Sequence, residues 1–209
     1  MRPPTENSQL VIAAPLRIEK LTILAGAPRL RVQRVGMGPA RARTAAQLLK
    51  DDPARALIVL GVCGGLISGD RPGEVIIAER LSTVDERGEL ENPTDCHAPR
   101  QLAEALERQG LSVRNGTVAS AARIVHGQAR TRLKNSGADA VDMESAWLQA
   151  GARGRPFVVI RVVADTPDHD INSPIRAVAS WVSALRALRY TARALGTLQT
   201  RRELQGLLQ

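Results

Sequence analysis

The sequence predicts an α/β layered domain, and three observations point to it. Short apolar runs alternate with helix-like segments along the whole chain. Residues 56–60 are continuously apolar rather than alternating, the pattern of a strand buried on both faces, and residues 157–163 carry five Val or Ile. The 209 residues, 44 % of them hydrophobic, are enough for one full core. No internal repeat, linker or break in composition divides the chain, so residues 1–209 read as a single domain.

The elements follow in order. Residues 10–14 read as a first strand and 31–35 as a second. Gly36-Met37-Gly38-Pro39 then leads into an Ala-rich helix ending near Lys50. The strand at 56–60 runs into a glycine turn, Gly61-Val62-Cys63-Gly64-Gly65, and residues 74–78 form another strand. The stretch 82–97 is irregular and is the longest loop candidate. A helix over 99–109 precedes a strand at 116–120, and a strand over 138–143 leads into a helix at Ser145. Residues 157–163, with five Val or Ile, form the most strongly β segment. The last element is a helix, with Ser173 as N-cap and Pro174 as its first residue. Trp181, Leu185, Leu188, Ala192 and Leu195 recur on it at core spacing, with Arg186, Arg189 and Arg193 largely opposite.

Composition narrows the function. No run approaches the roughly 20 apolar residues of a membrane span, and residues 1–8 lack the apolar stretch of a signal peptide. Cys63 and Cys96 form no metal-spaced cluster, and a reduced, cytoplasmic setting is the simplest reading. The net charge is +8, and all cationic residues but Lys20, Lys50 and Lys134 are Arg. Aromatics are 2 %, too few to stack nucleic-acid bases, and no nucleic-acid-binding signature accompanies the charge. The basic face of the last helix is a candidate for peripheral membrane contact. His97 and Asp168-His169-Asp170 read as solvated loop residues rather than a metal site.

In layered α/β domains ligands collect beyond the carboxyl ends of strands. Four segments lie there: Gly36 to Pro39, Gly61 to Gly65, Asp142-Met143-Glu144-Ser145, and Ala164-Asp165-Thr166-Pro167-Asp168. Glycines let backbone N–H groups approach an anion or a sugar, though neither pair has dinucleotide or P-loop spacing. Asp142 and Glu144, two apart, would point the same way on an extended strand end. Asp165 follows the most apolar strand, where burial would keep a proton on it near neutrality. On the residues alone it reads equally well as a cap for the turn before Pro167.

Together these segments resemble the purine nucleoside phosphorylase and methylthioadenosine/S-adenosylhomocysteine nucleosidase superfamily. The similarity runs over residues 10–183. It is carried by Ala140-Val141-Asp142-Met143-Glu144-Ser145, by Arg161-Val162-Val163-Ala164-Asp165, and by Gly61 to Leu66 followed by Arg71-Pro72-Gly73-Glu74-Val75. The resemblance implies a three-layer α/β/α fold around a central mixed sheet. It also implies cleavage of the N-glycosidic bond of a purine nucleoside, by phosphorolysis or hydrolysis. Glu144 would bind the ribose hydroxyls, Met143 would pack on the sugar, and Asp142 belongs to the same substrate-binding segment. Asp165 would act as the acid at N7 of the base, and Glu19 would activate water. Ile124 and Val125 would line the base, with Gly38 and Gly64 beside the sugar. No cofactor is implied beyond phosphate as a co-substrate, and a homo-oligomer is expected.

Two residues depart from the family pattern. Val62 stands where many phosphorylases have a phosphate-binding Ser or Thr, which favours water or a phosphate site built from Arg17 or the backbone of Gly36 to Gly38. Ala164 stands where nucleosidases support the acid with Ser. Within the superfamily the chain looks closer to the bacterial hopanoid-associated phosphorylases, which implies adenosine-type substrates such as adenosylhopane. The competing reading is a sensor on the same fold that binds a nucleoside without cleaving it.

Overall fold

The computed structural model describes residues 9–166, 174–201 and 203–208. The Asp168-His169-Asp170 cluster and the Ser173 cap lie outside these residues.

A mixed eight-stranded sheet forms the middle layer. Its strands are β1 (Leu10–Ala14), β2 (Val32–Arg34), β3 (Ala56–Gly65), β4 (Val75–Val84), β5 (Leu90–Asp95), β6 (Val113–Ser120), β7 (Ala140–Asp142) and β8 (Phe157–Asp165). β1 lies parallel between β2 and β3. β3 runs parallel to β8 and meets β7 only through Gly64 and Gly65. β8 then pairs antiparallel with β4, β4 parallel with β6, and β6 parallel with β7, so five strands close on themselves.

Strand alternation sends side chains to two cores. Ile58, Leu60, Val158, Ile160 and Val162 pack under α1 (Arg17–Gly26), α3 (Pro99–Glu107) and α6 (Pro174–Thr200). Leu57, Val59, Val159 and Val163 pack under α2 (Pro39–Lys50) and α5 (Ser145–Leu148) on the other face. α4 (Gln128–Asn135) covers a third, smaller cluster through Leu133, and α7 (Glu203–Leu207) ends the chain against α6. The central mixed sheet between helical layers is the predicted architecture.

Three expectations change. The Gly61 to Gly65 segment is not a turn but the second half of β3. Its glycines are required by close neighbours: a Cβ on Gly61 would lie 2.6 Å from Glu19 Oε1, and one on Gly65 would lie 2.5 Å from Asp70 Oδ2. The irregular stretch 82–97 is largely a hairpin of β4 and β5. Asp85 turns it by accepting the N–H groups of Arg87 and Glu89, with Gly88 at φ +88°. Finally, α1 and α4 form where the apolar pattern marked no helix. α4 buries only Leu133, and α1 buries Glu19 and Ile23 while exposing Ile18 and Leu21, so neither has a clean stripe.

Candidate active site

The carboxyl ends of β3, β7 and β8 converge with the start of α1 on a cleft of about 180 Å³. Eight of the nine expected site residues line it: Glu19, Gly64, Ile124, Val125, Asp142, Met143, Glu144 and Asp165. The ninth, Gly38, stands behind Glu144. Its φ of +89° turns the chain into α2 and aims its N–H at Glu144 Oε1, 2.9 Å away.

Glu19 is 1 % exposed. It is the third residue of α1 and reaches back to accept the Leu16 N–H through Oε2 at 2.6 Å, the geometry of a capping carboxylate. Its other oxygen accepts the Val62 N–H at 2.7 Å. Burial pushes its pKa up, against the pull of Arg161 and these two N–H groups.

Glu144 follows β7 and precedes α5. It is 4 % exposed and shares Arg161, its Oε2 lying 3.5 Å from Nη2. Burial, partly offset by Arg161 and reinforced by Asp142, pushes its pKa up to about 7. Asp142, expected to bind substrate, has both oxygens engaged by protein. Oδ1 accepts Ser120 Oγ at 2.6 Å and the N–H groups of Glu144 and Ser145, and Oδ2 lies 2.6 Å from Arg161 Nη2. It lines the cleft beside Glu144 and holds the turn that presents that carboxylate.

Arg161 joins these groups. It lies in the middle of β8 and is fully buried. It donates to Ser145 Oγ through Nε at 3.2 Å and Nη2 at 3.0 Å, and to Val62 O at 3.3 Å. Burial opposes its charge, but Asp142, Glu144 and Glu19 together outweigh that and raise its pKa. The sequence signal was present, a lone charge inside the most apolar strand, but it was absorbed into a motif and assigned no role.

Asp165 is the last residue of β8, just past a break in register that pairs it with Gly64. It is less buried than its position suggested, with 24 % of its side chain exposed, and what faces it is an arginine rather than apolar wall. Arg130, from the first turn of α4, donates to Asp165 Oδ2 through Nη2 and to Val125 O through Nε at 3.1 Å. Gly64 makes room for the pair: a Cβ there would lie 3.2 Å from Asp165 Oδ1. Arg130 carried no sequence signal, because α4 itself had none. Trp181, expected in the core, is 38 % exposed and lines the cleft instead. Cys63 also lines it, but burial pushes its thiol pKa up, away from a reactive thiolate.

The layered fold and a carboxylate-lined cleft at its strand ends define the class: an enzyme acting on nucleosides. The chain belongs to the phosphorylase superfamily, whose sequence model matches residues 16–192. The fold is similar to that of the Helicobacter pylori 5′-methylthioadenosine/S-adenosylhomocysteine nucleosidase, at 18 % identity and a TM-score of 0.75 over 93 % of this chain and 99 % of that one. It is similar to the Neisseria meningitidis nucleosidase, solved with methylthio-immucillin-A, at 20 % identity and 0.73 over 91 % and 100 %. It is also similar to Helicobacter pylori futalosine hydrolase, at 17 % identity and 0.76 over 93 % and 99 %. No curated protein matches the chain.

Proposed function

We propose that this enzyme hydrolyses the N-glycosidic bond of an adenosine-type nucleoside that carries a large apolar 5′ group, adenosylhopane being one such substrate. One observation carries the reading: Glu19, Glu144 and Asp165, which come from three separate parts of the chain, all line one cleft at the strand ends.

The bond from the anomeric carbon to the base nitrogen breaks with its electron pair leaving on the purine. The sugar gathers positive charge, which the carboxylates of Glu144 and Glu19 favour in a site shielded from water. Glu144 accepts the ribose hydroxyls, and Met143 packs on the sugar. Asp165 donates a proton to N7 as charge gathers on the base, while Ile124 and Val125 cover the ring. Glu19, whose carboxyl is pushed up by burial, takes the proton of the water that adds to the anomeric carbon.

Water is favoured over phosphate for three reasons. The side chain of Val62 has no donor, and its N–H is already given to Glu19. The Gly38 N–H is given to Glu144. Arg17 is exposed and is not part of the cleft lining. The apolar 5′ group is supported by the rim, where Leu16, Met37 and Trp181 gather with Met37 46 % exposed.

The test is a product analysis with adenosine-type nucleosides, with and without phosphate. Free adenine and the free sugar are expected without phosphate. Release only with phosphate would make the reaction phosphorolysis. One observation favours the sensor reading, since Arg130 occupies Asp165 in the free chain. Nucleoside binding by calorimetry with no free base would establish that reading instead.

A further inference from the structure

The strongest feature outside the cleft is the outer face of α1 and α6. The two helices pack along each other. They run parallel: Leu16 at the start of α1 and Trp181 of α6 line the same cleft, and further along both helices Gly26 lies against Ala192. Both therefore begin at the cleft, where Leu16, Glu19 and Trp181 line it.

Exposed residues follow helical spacing on both. On α6 the stripe runs Val178, Val182, Arg186, Arg189 and Arg193, with the two valines 63 % and 60 % exposed. On α1 Ile18 and Leu21 are exposed beside Arg17, and Arg29 follows the helix. The face is apolar next to the cleft and basic farther along. α6 contains no Asp or Glu, and the one acid of α1 is the buried Glu19. Among the described residues none of Arg17, Arg29, Arg186, Arg189 or Arg193 lies within ion-pair distance of a carboxylate. Beyond the stripe a groove of about 470 Å³ opens, with Arg29, Arg193 and Arg201 around Ala27 and Leu30.

We infer that this face docks on an anionic membrane surface, with the arginines on lipid phosphates and Val178, Trp181 and Val182 at the level of the upper acyl chains. Apolar side chains beside an arginine belt, with no acid among them, suit that boundary. A two-fold contact between copies would instead bring the arginine stripe against itself without a counter-charge. Among the described residues no helix is long and apolar enough to cross a membrane, so the contact is peripheral. The cleft then opens at the bilayer boundary, where an amphiphilic nucleoside resides. That purpose rests on the substrate proposed above, but the docking can be measured without turnover.

The full chain is sedimented with phosphatidylcholine vesicles, with and without phosphatidylglycerol. Binding is expected only with the anionic lipid and should weaken as salt is raised. Replacing Arg186, Arg189 and Arg193 together by Gln should lower the partition coefficient roughly 100-fold. The fold, followed by circular dichroism, and turnover of a soluble nucleoside should stay as they were. Equal binding to neutral vesicles, no binding to either, or unchanged partition of the triple variant would overturn the docking. So would a dimer in light scattering that Val182→Asp dissociates and that ignores vesicles. Vesicle binding by a chain that releases no base from any nucleoside would support the docking and sink the catalytic reading.

Discussion

The two ends of the cleft are built differently. At the end proposed to hold the sugar, Glu19, Glu144 and Asp142 are at most 5 % exposed, and each has several partners around Arg161. At the end proposed to hold the base, Asp165 is more exposed and among the described residues pairs with Arg130, on a short helix that buries a single residue. The loop beside it leaves Ile124 63 % exposed. A site where charge develops must hold its groups fixed before the reaction, because reorganising them during it would raise the barrier. A site that admits and releases a planar base must be able to open. On the proposed reading the Glu144 end is the scaffold of the site, and the Asp165 end is the part that has to give way to a base.

The sharpest way to break this contrast is to empty the hub. Arg161→Met leaves Asp142 and Glu144 buried without a counter-charge, which costs about 3–5 kcal/mol when one partner of a buried pair is removed. Urea denaturation should show that loss, with turnover lost alongside it. Stability close to that of the parent would mean that the buried carboxylates are held by their other partners and that Arg161 is not the hub.

Asp165→Asn is the matching change at the other end. It keeps the shape and the Arg130 contact on one oxygen while removing the proton, so kcat should fall about 10²–10⁴-fold. The unfolding midpoint should move little, which separates chemistry from scaffold. Normal cleavage by this variant would sink the role given to Asp165.

A smaller effect tests the sugar end without damaging it. The Glu144 carboxyl is pushed up to about 7 by burial. Below that pH it carries a proton and accepts ribose hydroxyls poorly; above it the carboxylate accepts both. KM for the nucleoside should therefore fall as pH rises through 7, about tenfold per unit on the acid side. Glu144→Gln should flatten the KM profile while leaving the pH dependence of kcat as it was. A KM that does not change between pH 6 and 8 in the parent would remove Glu144 from sugar binding.

The same contrast explains what could be read in the sequence. β1, β3, β8 and α2 were legible because burial on both faces, or an Ala-rich stripe after a glycine turn, writes itself into composition. That Glu19, Glu144 and Asp165 share one cleft was legible through order and motif. Arg161 was visible as a charge among valines, yet its partners come from β7, α5 and α1, and no local pattern joins them. Arg130 was hidden because α4 is polar on nearly every side. Trp181 misled because it falls on the core stripe of α6, and periodicity cannot show that the stripe ends at a cleft. Spacing showed that Asp142 starts beside Glu144 but not which N–H groups it also holds.

The smallest expected effect tests the Asp165 end. Arg130→Met removes one partner of a part-exposed pair, and such pairs contribute only about 0–1 kcal/mol to stability. The change in unfolding free energy should stay inside that range, against the much larger loss for Arg161→Met. If Arg130 only occupies Asp165 in the empty cleft, the base no longer has to displace it, and KM should drop modestly at unchanged kcat. If Arg130 instead stays on Asp165 while the bond breaks, kcat should fall and KM should hold. The two outcomes separate a latch from a positioning group. A stability loss equal to that of Arg161→Met would erase the distinction between the two ends, because Arg130 would then belong to the scaffold.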